Sequence, residues 1–574
     1  MQALLRMGDK FTHKQKVDRA DKLLVELGLR KCADSVIGSP RRKGISGGEM
    51  KRLSFASEMI TNLPLMFCDE PTTGLDSYMA QNVVSVLRDM ASHGKTILCT
   101  IHQPSSEVFT MFDRLLLLAE GRTVFLGARE DALPFFSRLS RHCPEDYNPA
   151  DYYIQQLAVV PGKESASREF IREAADVFDN SDCASEVRRA IAECGSHKQA
   201  IIKFENAMSS NPRYKVSWWQ QLWILLQRTM LGQVRVPILI GVRIGRRLAL
   251  ALMIGLVYLN QELNQKGVQN LNGVMFNFAA ELTFTTAFTI LTTLPLEAIL
   301  FFREHESGLY RVDAYCISQV VVQALIFVVE TIVLVGIGYW MAGLSRTAES
   351  FFVALGIYIL ICQASAGIGF WVACASPSYT VAVSSFAPLN LPLFILSGFF
   401  MNIDSIPIYL SWMQWISWLR YGVEALFINQ WRDISNITCE NPPESAEMCY
   451  NDGQEVLDKY HFKEENLTFN IIMLCVLIVI YNVGGYVSLA LRARHRMQSI
   501  GATGTDAIRQ KLAADGTRSR TSTKNSLPAM DIIDRSEIRK WRSGTDRKED
   551  KKEGAARVGM EAVQEANRWL TTTF

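Results

Sequence analysis

Hydrophobic positions along this chain follow two different rules on either side of about residue 213. Before it, apolar residues come in short runs broken by polar ones. Leu65 to Cys68, Thr96 to Ile101, Leu115 to Ala119 and Thr123 to Leu126 read as strands, and Met50 to Ile60 and Tyr78 to Ala91 as helices. The first of these strands is apolar throughout, as a parallel strand buried on both faces should be. From Pro237 to Leu491, apolar stretches approach the ~20 residues that cross a bilayer. Six spans are predicted: Pro237 to Leu259, Asn272 to Leu296, Cys316 to Met341, Phe351 to Ala375, Val381 to Met401 and Phe469 to Leu491. The first carries Arg243, Arg246 and Arg247. An arginine at a helix centre costs roughly 2.5 to 3.5 kcal/mol on insertion, so these three are expected near the cytoplasmic end or snorkelling toward it. Val216 to Val234, with Trp218, Trp219, Trp223 and Arg228, reads as an amphipathic helix lying at the interface.

Length and charge sharpen this division. At 574 residues the chain exceeds one core, since single cores stop growing at roughly 250 to 300 residues. Sixty Lys+Arg against 58 Asp+Glu leave a net charge of +2, which argues against a nucleic-acid partner. The expected fold is an α/β domain followed by an all-α, six-helix transmembrane domain. The boundaries fall at 1–135 for the α/β domain, 136–213 for a cytosolic linker, 214–496 for the membrane domain and 497–574 for a disordered cytosolic tail. No basic-then-apolar leader opens the chain, so the amino-terminal part is expected in the cytosol. Five crossings then place the segment from Asn402 to Thr468 outside. That segment carries the acceptor patterns Asn436-Ile437-Thr438 and Asn466-Leu467-Thr468, of which Asn436 is the usable one because Asn466 abuts the last span. Cys439 and Cys449 lie in the same segment. A bridge between them would contribute roughly 2 to 3 kcal/mol by loop closure, and pairing with another subunit is the alternative. Arg492-Ala493-Arg494-His495-Arg496 follows the last span as a cytosolic basic cluster.

The candidate chemistry lies in the α/β part. Ser46-Gly47-Gly48-Glu49 opens a helix whose N-terminal amides form an anion site. Asp69 and Glu70 stand at the carboxyl end of a strand, where ligands of open α/β sheets gather. Gly74-Leu75-Asp76-Ser77 turns the chain into the next helix, and His102 ends the next strand. Alone, each reads as a turn, a loop or a satisfied histidine; their order and spacing carry the functional reading. Within the spans, Glu281 and Glu330 are the ionisable residues that ask for a role. Glu281, among Phe276, Phe278 and Phe284, is read equally as substrate lining and as structural burial, whereas Glu330 is read as structural.

These residues resemble the second half of an ATP-binding-cassette (ABC) nucleotide-binding domain. Ser46-Gly47-Gly48-Glu49 resembles the family signature, Asp69 the Walker B aspartate, Glu70 the catalytic glutamate, Gly74 to Ser77 the D-loop and His102 the switch histidine. The resemblance implies ATP and Mg²⁺ as cofactors. Asp69 would hold Mg²⁺ largely through water, and Glu70 and His102 would act on the attacking water and the γ-phosphate. Ser46, Gly47, Gly48, Glu49 and Asp76 would face nucleotide in a dimer. The α/β-then-membrane order, with Asn148-Pro149-Ala150-Asp151-Tyr152, Phe302-Arg303-Glu304 and Gly398-Phe399-Phe400, resembles the G subfamily. Cys68-Asp69-Glu70-Pro71-Thr72 and Leu157-Ala158-Val159-Val160-Pro161-Gly162 look most like its White-type branch, from about Phe11 to Arg496.

That resemblance implies a half-transporter pairing with a second White-family subunit, Scarlet-like or Brown-like. It implies transport of tryptophan- or guanine-derived eye-pigment precursors across a pigment-granule or plasma membrane, with Glu281, Phe278 and Phe284 toward the substrate. Sterol, lipid or hormone export is the alternative substrate class. No GxxxxGK[ST] string occurs, Gly94-Lys95-Thr96 having Asp89 where the first glycine belongs. The Walker A and Q-loop are therefore expected to lie before residue 1, and a non-hydrolysing or dominant-negative dimer partner is the rival reading.

Overall fold

The computed structural model describes residues 1–38, 44–61, 64–196, 213–401, 406–438 and 450–518. Residues Met1–Met497 form one unit and Gln498–Phe574 a second, of which helical backbone is described as far as Arg518. Cys439 and Cys449, and the tail from residue 519, lie outside the described residues.

The amino-terminal part begins with helices α1 (Gln2–Arg6), α2 (His13–Glu26) and α3 (Gly47–Met59). Strand β1 (Leu65–Asp69), helix α4 (Ser77–Ser92), strand β2 (Thr96–Thr100) and helix α5 (Ser106–Phe109) follow. β1 and β2 pair in parallel, Leu65 opposite Thr96 and Asp69 opposite Thr100. Leu23, Phe55, Val83 and Leu87 from α2, α3 and α4 share a buried cluster with Cys68. The opposite face of β1 is not covered: Phe67 is 73% exposed and Leu65 and Leu98 lie open beside it. The expectation of a strand buried on both faces is thus corrected. Among the described residues this sheet has two strands, and helices cover one of its sides.

Strands β3 (Arg114–Ala119) and β4 (Arg122–Ala128) form the predicted hairpin. Its two-residue turn needs Glu120 and Gly121 both at positive φ, 48° and 78°, which matches the right-handed strand twist. Helices α6 (Arg129–Arg138), α7 (Pro149–Leu157) and α8 (Glu164–Asp179) pack on it through Phe125, Phe136, Tyr153 and Ile171. Helix α9 is Asp182–Ser196.

Helix α10 (Trp218–Val234) leads into the membrane domain with Trp219 and Trp223 exposed. It is followed by α11 (Pro237–Val257), α12 (Gln265–Glu306), α13 (Val312–Ala342), α14 (Ala348–Ala375) and α15 (Tyr379–Ile395). Helices α16 (Trp418–Trp431), α17 (Gly453–Lys459) and α18 (Asn466–Arg518) complete it. Helix occupies all six predicted spans, the fifth only as far as Ile395, but among the described residues four helices could cross a membrane by length and composition: α12, α13, α14 and Asn466–Gln498 of α18. α11 carries three arginines, and α15 is a 17-residue helix holding Pro388 and Pro392. α12 runs well beyond its predicted span, to 42 residues, and α18 continues helical to Arg518 where disorder was expected.

Close helix contacts rest on small residues, as bilayer-embedded packing requires. A Cβ at Gly338 of α13 would lie 2.4 Å from the Phe278 ring of α12, and one at Gly485 of α18 2.4 Å from Phe370 of α14. α16 is buried nearly throughout, its two tryptophans satisfied by Thr283 and by Asn272 at 2.8 Å.

Candidate functional site

The parallel register of β1 and β2 brings Asp69, Glu70 and His102 to one sheet end, because both strands finish there. Asp69 faces Thr100 across the ladder and receives its hydroxyl at 2.5 Å on Oδ1. Glu70, one residue past β1, adopts φ 42°, a left-handed conformation rare for a residue with a Cβ. Three neighbours hold it. Its N–H donates to Thr100 Oγ1 at 3.0 Å and to the Thr100 carbonyl at 3.1 Å. Its carbonyl accepts from Lys51 Nζ at 3.2 Å, and its Oε2 accepts from the Thr73 hydroxyl at 2.9 Å. His102 is exposed two residues beyond β2, beside Gln103, which is also at positive φ (46°).

The Ser-Gly-Gly-Glu segment starts α3 by a reciprocal cap. Ser46 Oγ accepts from the Glu49 N–H, while Glu49 Oε2 accepts from the Ser46 N–H at 2.8 Å and its hydroxyl at 2.9 Å. That backbone N–H is the main reason the Glu49 carboxyl lies below its ordinary range. Gly48 lies close to α4: a Cβ there would meet the flexible end of Met79, Cε, at 2.4 Å. Asp76 caps α4 by accepting from the Met79 N–H at 2.8 Å. The signature-like and D-loop-like segments are therefore neighbours, and Lys51 ties the first of them to Glu70.

In the membrane domain the arginines of α11 do not all snorkel. Arg243 and Arg247 turn inward: Arg243 Nε lies 2.6 Å from Glu330 Oε1, Arg247 Nε 3.2 Å from Glu330 Oε2, and Arg247 Nη1 3.2 Å from Glu281 Oε1. The expectation is corrected for these two, because carboxylates on α12 and α13 match them in charge and spare them the route to water. Arg246 is exposed. Glu281 also accepts from Thr285 at 2.5 Å. Phe278 is fully buried, edge-on to Tyr358, and Phe284 lies against Phe394. Asn436 is exposed outside the helices, while Asn466, at the start of α18, donates to Glu424 at 2.8 Å.

A second charged cluster joins the two regions at the end of α12. Glu304 binds Arg228 of α10 at 2.7 Å, the Tyr310 hydroxyl, and Gln2 of α1 at 3.3 Å. Of this cluster the sequence pointed to the Phe302-Arg303-Glu304 stretch by its family resemblance but not to the pairing of Glu304 with Arg228, and it pointed to neither Thr73 nor Thr100. For Thr100 no local signal was available, since its partners come from strand register.

Three family models match the chain: "ABC transporter" over residues 2–73, and two described as "ABC-2 type transporter" over residues 102–177 and 220–431. Together these models describe an ABC transporter subunit with an ABC-2 type membrane part. The chain is 40% identical over 501 residues to Protein white of Ceratitis capitata, covering 86% of this chain and 72% of that protein. It is 36% identical over 495 residues to Protein scarlet of Drosophila melanogaster, covering 86% and 74%. The chain belongs to the White-type G subfamily of ABC half-transporters. A solved ATP-binding cassette in its ADP conformation is 25% identical over 24% of this chain, with a TM-score of 0.19; the chain covers 49% of that cassette's length.

Proposed function

We propose that this chain is one half of an ATP-driven transporter that moves small organic molecules across a membrane, with tryptophan- or guanine-derived pigment precursors as the substrate class. Its partner in this reading is a second White-family half-transporter, Scarlet-like or Brown-like, in a pigment-granule or plasma membrane. The observation that carries the reading is the juxtaposition of Asp69, Glu70 and His102 at one sheet end, beside a capped Ser-Gly-Gly-Glu helix, in a chain with an ABC-2 membrane domain.

The donor set fits a nucleotide-borne magnesium ion. Two adjacent exposed carboxylates, Asp69 and Glu70, stand at the strand end, and no group of three or more His, Cys, Asp or Glu that would hold a metal occurs among the described residues. That suits Mg²⁺, which keeps several waters and is shared with phosphates rather than caged by protein. When bound, Mg²⁺ supplies charge neutralisation to the transferring phosphoryl group. Asp69 would hold it, Glu70 would orient or deprotonate water, and His102 would face the terminal phosphate. Ser46, Gly47, Gly48 and Asp76 would present the signature and D-loop to the nucleotide of the partner half.

For the membrane half, Glu281 and Phe284 keep partial access and serve as the candidates for meeting substrate, whereas Phe278 is sealed in the contact between α12 and α14. Asn436 is the proposed glycosylation site on an outer loop.

Membrane vesicles holding this chain and its partner are expected to accumulate a tryptophan or purine metabolite on addition of ATP. Uptake of a sterol or hormone instead would overturn the substrate class. Equal uptake by the wild type and Glu70→Gln would contradict hydrolysis at this site. A second reading has the chain serving only its partner's nucleotide, through Ser46, Gly47 and Gly48. There Ser46→Arg stops transport and Glu70→Gln leaves it intact.

A further inference from the structure

We propose that Thr100 is a positioning residue for the hydrolytic pair, an assignment that rests on the roles given above to Asp69 and Glu70. Its hydroxyl is used in both directions: it donates to Asp69 Oδ1 at 2.5 Å and accepts the Glu70 N–H at 3.0 Å. One side chain therefore holds the rotamer of the first carboxylate and shares the N–H of the second with its own main-chain carbonyl, which lies at 3.1 Å. The neutral role of a β-branched residue in a strand explains why a residue of this shape is tolerated there. It does not explain a hydroxyl whose donor and acceptor both end on adjacent acidic residues.

The backbone makes the second contact consequential. Glu70 at φ 42° occupies a conformation that persists only where its surroundings over-determine it. Thr100 anchors the N–H, Lys51 the carbonyl and Thr73 the carboxylate. Of these, Thr100 is the one that also reaches Asp69, so it links the relative placement of the two carboxylates. A neutral hydroxyl can do this without consuming the negative charge of Asp69, as an arginine or lysine in its place would. Valine has nearly the same shape with neither hydrogen-bonding function, and serine keeps both.

The test uses the transporter assembled from this chain and its partner half. Thr100→Val is expected to lower ATP turnover roughly tenfold, the order expected for losing a hydrogen bond to a charged group, with KM for ATP unchanged. Mn²⁺ affinity in the presence of nucleotide, read by electron paramagnetic resonance, is expected to weaken in the same variant. Thr100→Ser should restore both. If Thr100→Val does not assemble, Thr100→Ala carries the same expectation. Wild-type turnover and Mn²⁺ affinity in the hydroxyl-free variant would overturn the assignment, as would a serine variant no better than valine. A Glu70→Gln control separates the two levels: if it leaves turnover intact, the hydrolytic reading itself fails. If it abolishes turnover while Thr100→Val is silent, only the role of Thr100 falls.

Discussion

The same side chain, a carboxylate, is treated in opposite ways in the two halves of this molecule. At the sheet end, Asp69 and Glu70 are exposed and held by neutral hydroxyls, Thr100 on one and Thr73 on the other. In the membrane, Glu330 is 1% exposed and shared between Arg243 and Arg247, and Arg247 also takes Glu281. A carboxylate fixed by a hydroxyl keeps its charge available to an incoming cation, whereas one fixed by a guanidinium has its charge already answered. The first arrangement suits chemistry and the second suits holding helices together. Two arginines against two glutamates also leave the membrane cluster with no formal excess charge, the condition under which ionisable groups are tolerated in a bilayer.

Breaking the membrane cluster should give the largest effect. Glu330→Ala leaves two buried guanidiniums without their shared partner and is expected to destabilise by about 3 to 5 kcal/mol. Thermal unfolding in detergent measures this, and a wild-type midpoint would break the comparison. Replacing Arg243, Arg247, Glu281 and Glu330 together by apolar residues should recover most of the loss; failure to do so would mean the cluster does more than hold the fold. Smaller changes sharpen the other side. Asp76→Ala removes the cap of α4 and should cost about 1 kcal/mol, seen as a lower melting temperature of the assembled transporter without loss of the fold.

Smallest of all is the pH dependence of the Ser46–Glu49 cap. The Glu49 carboxyl is held below its ordinary range, chiefly by the Ser46 N–H. Its contribution is therefore present above the unfolded-state value and lost as pH falls through the lowered folded-state value. The melting-temperature gap between wild type and Glu49→Gln should be open at neutral pH and close in acid. A gap independent of pH would remove the cap from the account.

What could be read from the sequence divides along the same line. Asp69, Glu70 and His102 were legible because each follows an apolar run, so local pattern alone places them at strand ends. The helix start at Ser46-Gly47-Gly48-Glu49 was legible too, whereas the reciprocal bonds of Ser46 and Glu49 came from the structure. Thr100 was not, because its meaning comes from strand register across 31 residues. Arg243 and Arg247 were misjudged more seriously, whereas Glu330 was read as structural and is. Hydropathy counts each arginine as a penalty on its own span and has no way to see that a helix 83 residues on sets Glu330 beside Arg247. Phe67 failed in the other direction, since an apolar strand implies cover on both faces that the described residues supply on one.

The most direct measurement is ATP hydrolysis by the assembled transporter with Glu70→Gln and, separately, Glu281→Gln. Loss of roughly a hundredfold or more for Glu70→Gln, with unaltered thermal stability and near-normal basal hydrolysis for Glu281→Gln, is the predicted result. Retained hydrolysis in Glu70→Gln, or its loss in Glu281→Gln alone, would contradict the division between carboxylates that act and carboxylates that hold.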